Sequence, residues 1–228
     1  MRLDRLLGER GIESRKEARY LVGRGRVTVN GTLATGPEMK VEEDAEILID
    51  DAPLLALPIL LAWHKPAGIV STLQDPWGRR TLAEVLPEAW RTRFHPVGRL
   101  DAETTGLLLF SRDGALTQRL LHPKRAVPRT YKARVARETV PSLVARLAAG
   151  VETAEGVFTA EVLEMNGDLV TLTVREGRHR MVRRMLHNAG FSVLELTRVA
   201  FGSVALGDLP EGEARPVVGE ALAGLLAV

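Results

Sequence analysis

Residues 98–110 read GRLDAETTGLLLF. Asp101 stands two residues after Arg99 and just ahead of a Thr-Thr-Gly corner, beyond which four apolar residues run on as a buried strand would. A carboxylate fixed there could act as a general base or a nucleophile. It would serve equally as a turn or capping group, the commoner use of an acid at the head of a strand. A second stretch, RTYKARV (129–135), alternates: Tyr131, Ala133 and Val135 face one way, Lys132 and Arg134 the other. A tyrosine in such an alternating strand is usually core. The third stretch is RHRMVRRMLHNAG. A helix over 178–189 carries Arg180, Arg183, Arg184 and His187 at i, i+3, i+4 and i+7, opposite Met181, Val182, Met185, Leu186 and Ala189. No acid within that stripe offers an i,i+4 partner, which favours a polyanion-binding face, although a solvated charged face has the same spacing.

These residues need a scaffold, and the composition bounds it. The chain has 228 residues, 45% of them hydrophobic, enough for one large domain or for a small and a medium one. Net charge is only +2, but lysine occurs at positions 16, 40, 65, 124 and 132 alone, so nearly all the positive charge is arginine. Arginine suits phosphate and stacks on bases; a GC-rich genome or a thermophilic origin gives the same bias. The absence of cysteine excludes disulfides, thiolate catalysis and cysteine-ligated zinc. The histidines have no metal-ligand spacing, although His179 and His187 share a segment. No stretch approaches the roughly 18 apolar residues of a membrane span, and MRLDRLLGER is too charged for the apolar part of a signal peptide. A cytoplasmic, monomeric protein without metal or cofactor is expected.

Residues 1–50 read as a separate module. Leu3, Leu6 and Leu7 have helical spacing, and Gly11 ends that helix. Ser14 and Glu17 form a capping box for a second helix over 15–23, with Ala18, Leu21 and Val22 inward and Arg15, Lys16 and Arg19 on another side. VTVNGTLA predicts two strands joined at Asn30-Gly31. Residues 1–40 hold nine Lys/Arg against five Asp/Glu, whereas 41–51 hold six acids and no base, so the module carries a directional field. Residues 51–58, with Pro53 and Pro58, read as a linker. From 59 to 228 the pattern is mixed. ILLAW, GLLLF, YKARVA, LVTLTV and SVLELTRVAFG read as strands. TLAEVL (capped by Thr81), the stretch after SRDG, PSLVARLAAG and the arginine-rich segment read as helices. Their irregular interleaving predicts an α+β fold with a mostly antiparallel sheet.

Taken in order, these segments resemble the pseudouridine synthases of ribosomal RNA, in the branch with a small RNA-binding module, of a type first seen in a ribosomal small-subunit protein, ahead of the catalytic domain. RLDRLLGERGIESRKEARYLVGRGRVTVNG is similar to that module. HKPAGIVST, PVGRLDAETTGLLLFSRDG, RTYKARV and EGRHRMVRRML resemble successive segments of the catalytic domain. The resemblance implies that Asp101 is the catalytic aspartate, that Tyr131 packs against the target uracil, and that Arg183 pairs with the aspartate. It also implies that Arg99 helps to displace or hold the extruded nucleotide. Arg15, Lys16, Arg19, Arg180, Arg184 and His187 are expected to hold the RNA backbone. Departures from the family pattern are His64 for a usual Asn, Thr105 for an acidic or small residue, Arg129 for a usual lysine, and SRDG for Thr-Asn-Asp-Gly; none falls on Asp101, Tyr131 or Arg183.

The implied reaction is an isomerisation, so it demands no redox cofactor and no ATP. Asp101 could attack the anomeric carbon or take a proton from the adjacent ribose carbon, and sequence does not choose between them. A non-catalytic assembly factor on the same scaffold would be expected to have lost Asp101, Tyr131 or Arg183. A glycosidase-like hydrolase needs a second carboxylate, and Glu103, two residues away in a turn, is poorly placed for it. EGRHRMVRRM and LPEGEARPV resemble the branch acting on large-subunit ribosomal RNA, while the short C-terminus resembles the small-subunit branch. Large-subunit RNA, free or in a pre-ribosomal particle, is the favoured substrate.

Overall fold

The computed structural model describes residues 1–12 and 14–228, without the side chains of Glu88 and Ala89. The chain divides into two compact units, Met1–Pro58 and Ile59–Val228. In the first, Leu3, Leu6 and Leu7 are the buried face of α1 (Leu3–Glu9), and Ala18, Leu21 and Val22 that of α2 (Arg15–Gly23). The Ser14 hydroxyl accepts the Glu17 N–H at 3.1 Å, which satisfies one free donor at the start of α2. Four short strands follow: β1 (Val27–Val29), β2 (Thr32–Leu33), β3 (Ile47–Ile49) and β4 (Ala52–Pro53), in the order β2-β1-β3-β4. Asn30 (φ 49°) and Gly31 (φ 76°) make the β1–β2 turn, where both residues need positive φ. The strand β4 corrects the expected linker. Leu48 pairs with Pro53 and Ile49 with Ala52, across a turn in which Asp50 and Asp51 both take positive φ. Pro53 is tolerated because β4 is an edge strand and needs no donor on its free side.

The second unit is built on a mixed sheet. Its strands are β5 (Leu60–Lys65), β6 (His95–Pro96), β7 (Thr105–Ser111), β8 (Arg129–Val135), β9 (Val151–Thr153), β10 (Gly156–Phe158), β11 (Glu161–Asn166), β12 (Leu169–Val174), β13 (Val193–Phe201), β14 (Val204–Ala205) and β15 (Ala214–Pro216). Its helices are α3 (Leu82–Val85), α4 (Glu88–Arg93), α5 (Gly114–Leu121), α6 (Ser142–Ala149), α7 (Met181–Asn188) and α8 (Gly219–Leu226). The main sheet runs β11-β12-β8-β13-β7-β5-β15, with β14 on β13 and β6 on β7; β9 and β10 form a separate hairpin. Among the described strands only β7 and β13 pair in parallel, with one isolated parallel bridge, Val70 to Thr81, outside them.

Both faces of the sheet are covered, and β7 shows why its sequence is apolar throughout. Leu107 and Leu109 enter one core with Leu116 and Leu120 of α5 and Leu225 of α8. Leu108 and Phe110 enter the other, with Tyr131, Ala133 and Val135 of β8 and Met181, Val182, Met185 and Leu186 of α7. A strand buried on both sides loses the apolar–polar alternation of a half-exposed one. The arginine-rich helix is shorter than its sequence pattern implies. It begins at Met181, and Arg180 precedes it in a left-handed conformation (φ 51°, ψ 25°). Residues 175–180 run as a loop and not as a first helical turn.

Candidate active site

The second unit contains a cleft of about 650 Å³ lined by the Asp101 turn, the 175–180 loop and the ends of β8 and β13. Asp101, Tyr131, Arg99 and Arg180 all line it. Seven arginines and three acids share the lining, so the cleft has the field of a polyanion site. Leu100, Val174, Met181 and Leu196 add apolar wall to the cleft, and Tyr131 is 9% exposed.

The backbone on either side of Asp101 is pinned. Thr104 N–H donates to the Asp101 carbonyl at 3.0 Å, which closes the turn. On one flank, the Ser71 hydroxyl donates to the Leu100 carbonyl (2.8 Å) and accepts the Leu100 N–H (3.1 Å). On the other, the Ala102 carbonyl accepts from Gly68 N–H at 2.8 Å. Lys65 Nζ completes the arrangement, donating to the carbonyls of Pro66 (2.9 Å), Ala102 (3.2 Å) and Thr104 (3.1 Å). Lys65 is 0% exposed at the end of β5, opposite Gly106 of β7. Burial pulls its pKa down to about 8, against the opposing influence of Asp101 and then Glu211. The Asp101 carboxylate is thus the free end of a turn whose main chain has little freedom left.

Gly106 explains the Thr-Thr-Gly corner. It has φ +100°, and a Cβ there would lie 2.3 Å from the Arg198 carbonyl oxygen and 2.7 Å from its nitrogen. Only glycine lets β7 approach β13 this closely. The Thr105 and Thr197 hydroxyls, 2.8 Å apart, fasten the same junction.

Arg129 and Arg198, on the adjacent strands β8 and β13, are the buried cations of the cleft. Arg198 is 2% exposed; its Nε donates to the Leu107 carbonyl at 2.7 Å, and its Nη2 has no partner among the described residues. Both guanidinium carbons lie near the Phe201 ring, 5.3 and 5.4 Å from its centroid. Burial lowers the Arg129 pKa and the neighbouring Arg198 lowers it further, partly offset by Tyr131.

The structure redistributes the arginine stripe. Arg180 pairs with Glu103 at 2.9 Å, and Arg184 with Glu155 of the β9–β10 turn. Acids distant in sequence therefore balance a stripe that has none of its own. Arg184 and His187 are not part of the cleft lining. Arg183 makes no ion pair with Asp101 among the described residues. Its Nη2 donates to the Glu103 carbonyl and its Nη1 to that of Val193, each at 3.4 Å, from behind the Asp101 turn. Burial lowers its pKa, with Glu103 and, more weakly, Asp101 opposing. Arg15, Lys16 and Arg19 are exposed on α2 of the first unit. Sequence reasoning missed Lys65, Ser71 and Arg198. A lysine ending an apolar strand was the one signal available for the first of them.

Residues 59–188 match the RNA pseudouridylate synthase family, and residues 1–47 match the S4 domain. The chain belongs to the RNA pseudouridine synthase family. It is 38% identical over 223 residues to ribosomal large subunit pseudouridine synthase B of Vibrio cholerae, covering 92% of this chain and 70% of that one. An RNA pseudouridine synthase of Mycobacterium tuberculosis is 37% identical over 226 residues, covering 94% of this chain and 89% of its own. A crystal structure of a pseudouridylate synthase superposes with a TM-score of 0.68 over 99% of both chains, at 28% identity. No helix among the described residues is long and apolar enough to cross a membrane.

Proposed function

We propose that this enzyme isomerises a uridine of large-subunit ribosomal RNA to pseudouridine, in the cytoplasm, where that RNA is available. The observation that carries the reading is a pinned Asp101 turn that lines one arginine-rich cleft together with Tyr131. The names of relatives such as the Vibrio protein support the choice of substrate.

In the reaction the bond from C1′ of the ribose to N1 of uracil breaks, the ring turns, and C5 bonds to C1′. The proton on C5 leaves and N1 gains one, so atoms balance without a co-reactant. Asp101 acts on the ribose, as a nucleophile at C1′ or as a base at C2′. Tyr131 packs against the ring, and its hydroxyl relays the C5 proton. Arg183 lends Asp101 a positive field from behind the turn. Arg99, exposed at the cleft, holds the extruded nucleotide. Arg180 binds phosphate once RNA competes with Glu103, and Arg15, Lys16 and Arg19 track the backbone from the first unit.

The test is to map pseudouridine in both ribosomal RNAs from cells with the gene, without it, and with Asp101→Asn. One site vanishes from large-subunit RNA in the last two. The purified variant still binds RNA but turns over more than about a thousandfold more slowly. Undiminished turnover by Asp101→Asn refutes the assignment, and a site missing from small-subunit RNA corrects the substrate.

A further inference from the structure

Between Val70 and α3 the chain makes a knuckle with the sequence TLQDPWGRR (72–80). Its root is closed by Val70 N–H to the Arg80 carbonyl and Leu82 N–H to the Thr72 carbonyl, both 2.9 Å. Its interior is organised by Asp75, whose side chain is 2% exposed. That carboxylate accepts the backbone N–H groups of Trp77 (3.1 Å) and Arg79 (3.0 Å) and the Arg79 guanidinium (Nε at 3.1 Å). The Arg79 contact above all holds the Asp75 pKa down at about 2, so the lock stays charged at neutral pH. The residue presented by this rigid knuckle is Trp77, 76% exposed. The Arg79 guanidinium covers part of its ring, 4.9 Å from the centroid. Arg79 also lines the Asp101 cleft, as do Val70, Ser71 and Thr72 at the root. Trp77 therefore stands at the rim of that cleft.

A large indole in water is costly and contributes nothing to either core, yet several hydrogen bonds hold it there. A rim with an arginine-dominated field selects a polyanion over an apolar peptide, and an aromatic ring backed by a guanidinium offers a nucleobase a π-face to stack on. Base extrusion also creates the need: lifting a uridine from its strand removes stacking from its neighbours.

We propose that Trp77, backed by Arg79, is a stacking platform for an unpaired nucleobase flanking the extruded uridine. The platform returns stacking to the neighbour and so holds the strand open while the uridine occupies the cleft. This rests on RNA being the substrate, as proposed above.

The experiment uses the full chain with transcripts of ribosomal RNA bearing the mapped site, and compares Trp77→Ala, Trp77→Leu and Trp77→Phe. Trp77→Ala raises KM about five- to a hundredfold, with kcat/KM falling in step, as loss of binding shared by ground and transition states requires. Trp77→Phe keeps most of the affinity. Trp77→Leu, apolar but without a π-face, fails like alanine. In parallel, a single-stranded oligouridylate quenches indole fluorescence in the wild type and not in Trp77→Phe. A KM for Trp77→Ala within about twofold of wild type, or leucine matching phenylalanine, overturns the platform; the second result would indicate an ordinary apolar contact, such as a protein partner makes. Wild-type protein that leaves every transcript unmodified would instead overturn the proposed function, an outcome read separately from the quenching.

Discussion

A carboxylate becomes useful to catalysis when its position is fixed before substrate arrives, and Asp101 is fixed through its neighbours. Ser71 holds both polar groups of Leu100, while Lys65 and Gly68 hold Ala102. Lys65 has a second consequence, which depends on pH. Its pKa falls from an ordinary 10.5 in the unfolded chain to about 8 in the fold. Between those values the unfolded state binds the extra proton, so this group's contribution to stability rises as pH increases through the window. Below about 8 both states are protonated and the contribution is flat at its least favourable level. Denaturant unfolding of wild type and Lys65→Met at several values from pH 7 to 10 would show the wild type gaining on the variant by about 1–3 kcal/mol as pH rises. A constant difference would mean that the three carbonyls keep the ammonium charged throughout.

At the scale of elements, the parallel junction of β7 and β13 is what brings the Asp101 turn to Arg198 and, through the β13–β8 ladder, to Tyr131. It depends on a missing side chain. Gly106→Ala adds a Cβ against the Arg198 main chain at positive φ, where neither strand can yield without breaking its ladder. The expected cost is about 3 kcal/mol, measured by urea unfolding, with activity falling more than the loss of folded protein explains. A small loss, under about 1 kcal/mol, would show that the junction can open. The helix α7 carries a related lesson. Its apolar face was legible from spacing, but Arg180 left the helix for a left-handed position, so the arginines of one apparent stripe divide: Arg180 binds the Glu103 carboxylate, Arg183 the Glu103 carbonyl, and Arg184 Glu155.

For the whole molecule, each unit has its own apolar core, and each presents positive charge: α2 in the first, the cleft in the second. If both contact the RNA backbone, their counterion release adds. Arg15, Lys16 and Arg19 lie on the exposed side of α2 and are not core residues, so the triple variant Arg15→Ala, Lys16→Ala, Arg19→Ala should fold normally. It should flatten the slope of log K against log salt by about 2, from the single-strand value per phosphate contact. Filter binding of the RNA transcript between low and moderate salt would measure this. An unchanged slope would remove α2 from the interface.

What the sequence determined by itself was local or periodic. Alternation in RTYKARV placed Tyr131, Ala133 and Val135 on one buried face, an unbroken apolar run marked β7, and turn chemistry marked Asn30-Gly31. Each follows from steric preference and burial within a few residues. The family resemblance added the grouping of Asp101 with Tyr131, which no spacing could supply. The tertiary structure alone decided the rest. It turned part of a proline-bearing stretch into the strand β4, matched Arg180 and Arg184 with acids 77 and 29 residues away, and buried Lys65 beneath the Asp101 turn. It also set Arg183 behind that turn, in place of an ion pair. These outcomes depend on which chain segments the sheet order brings within a few ångströms. Electrostatic and hydrogen-bond energies fall off over that distance, whereas sequence separation carries almost no record of it.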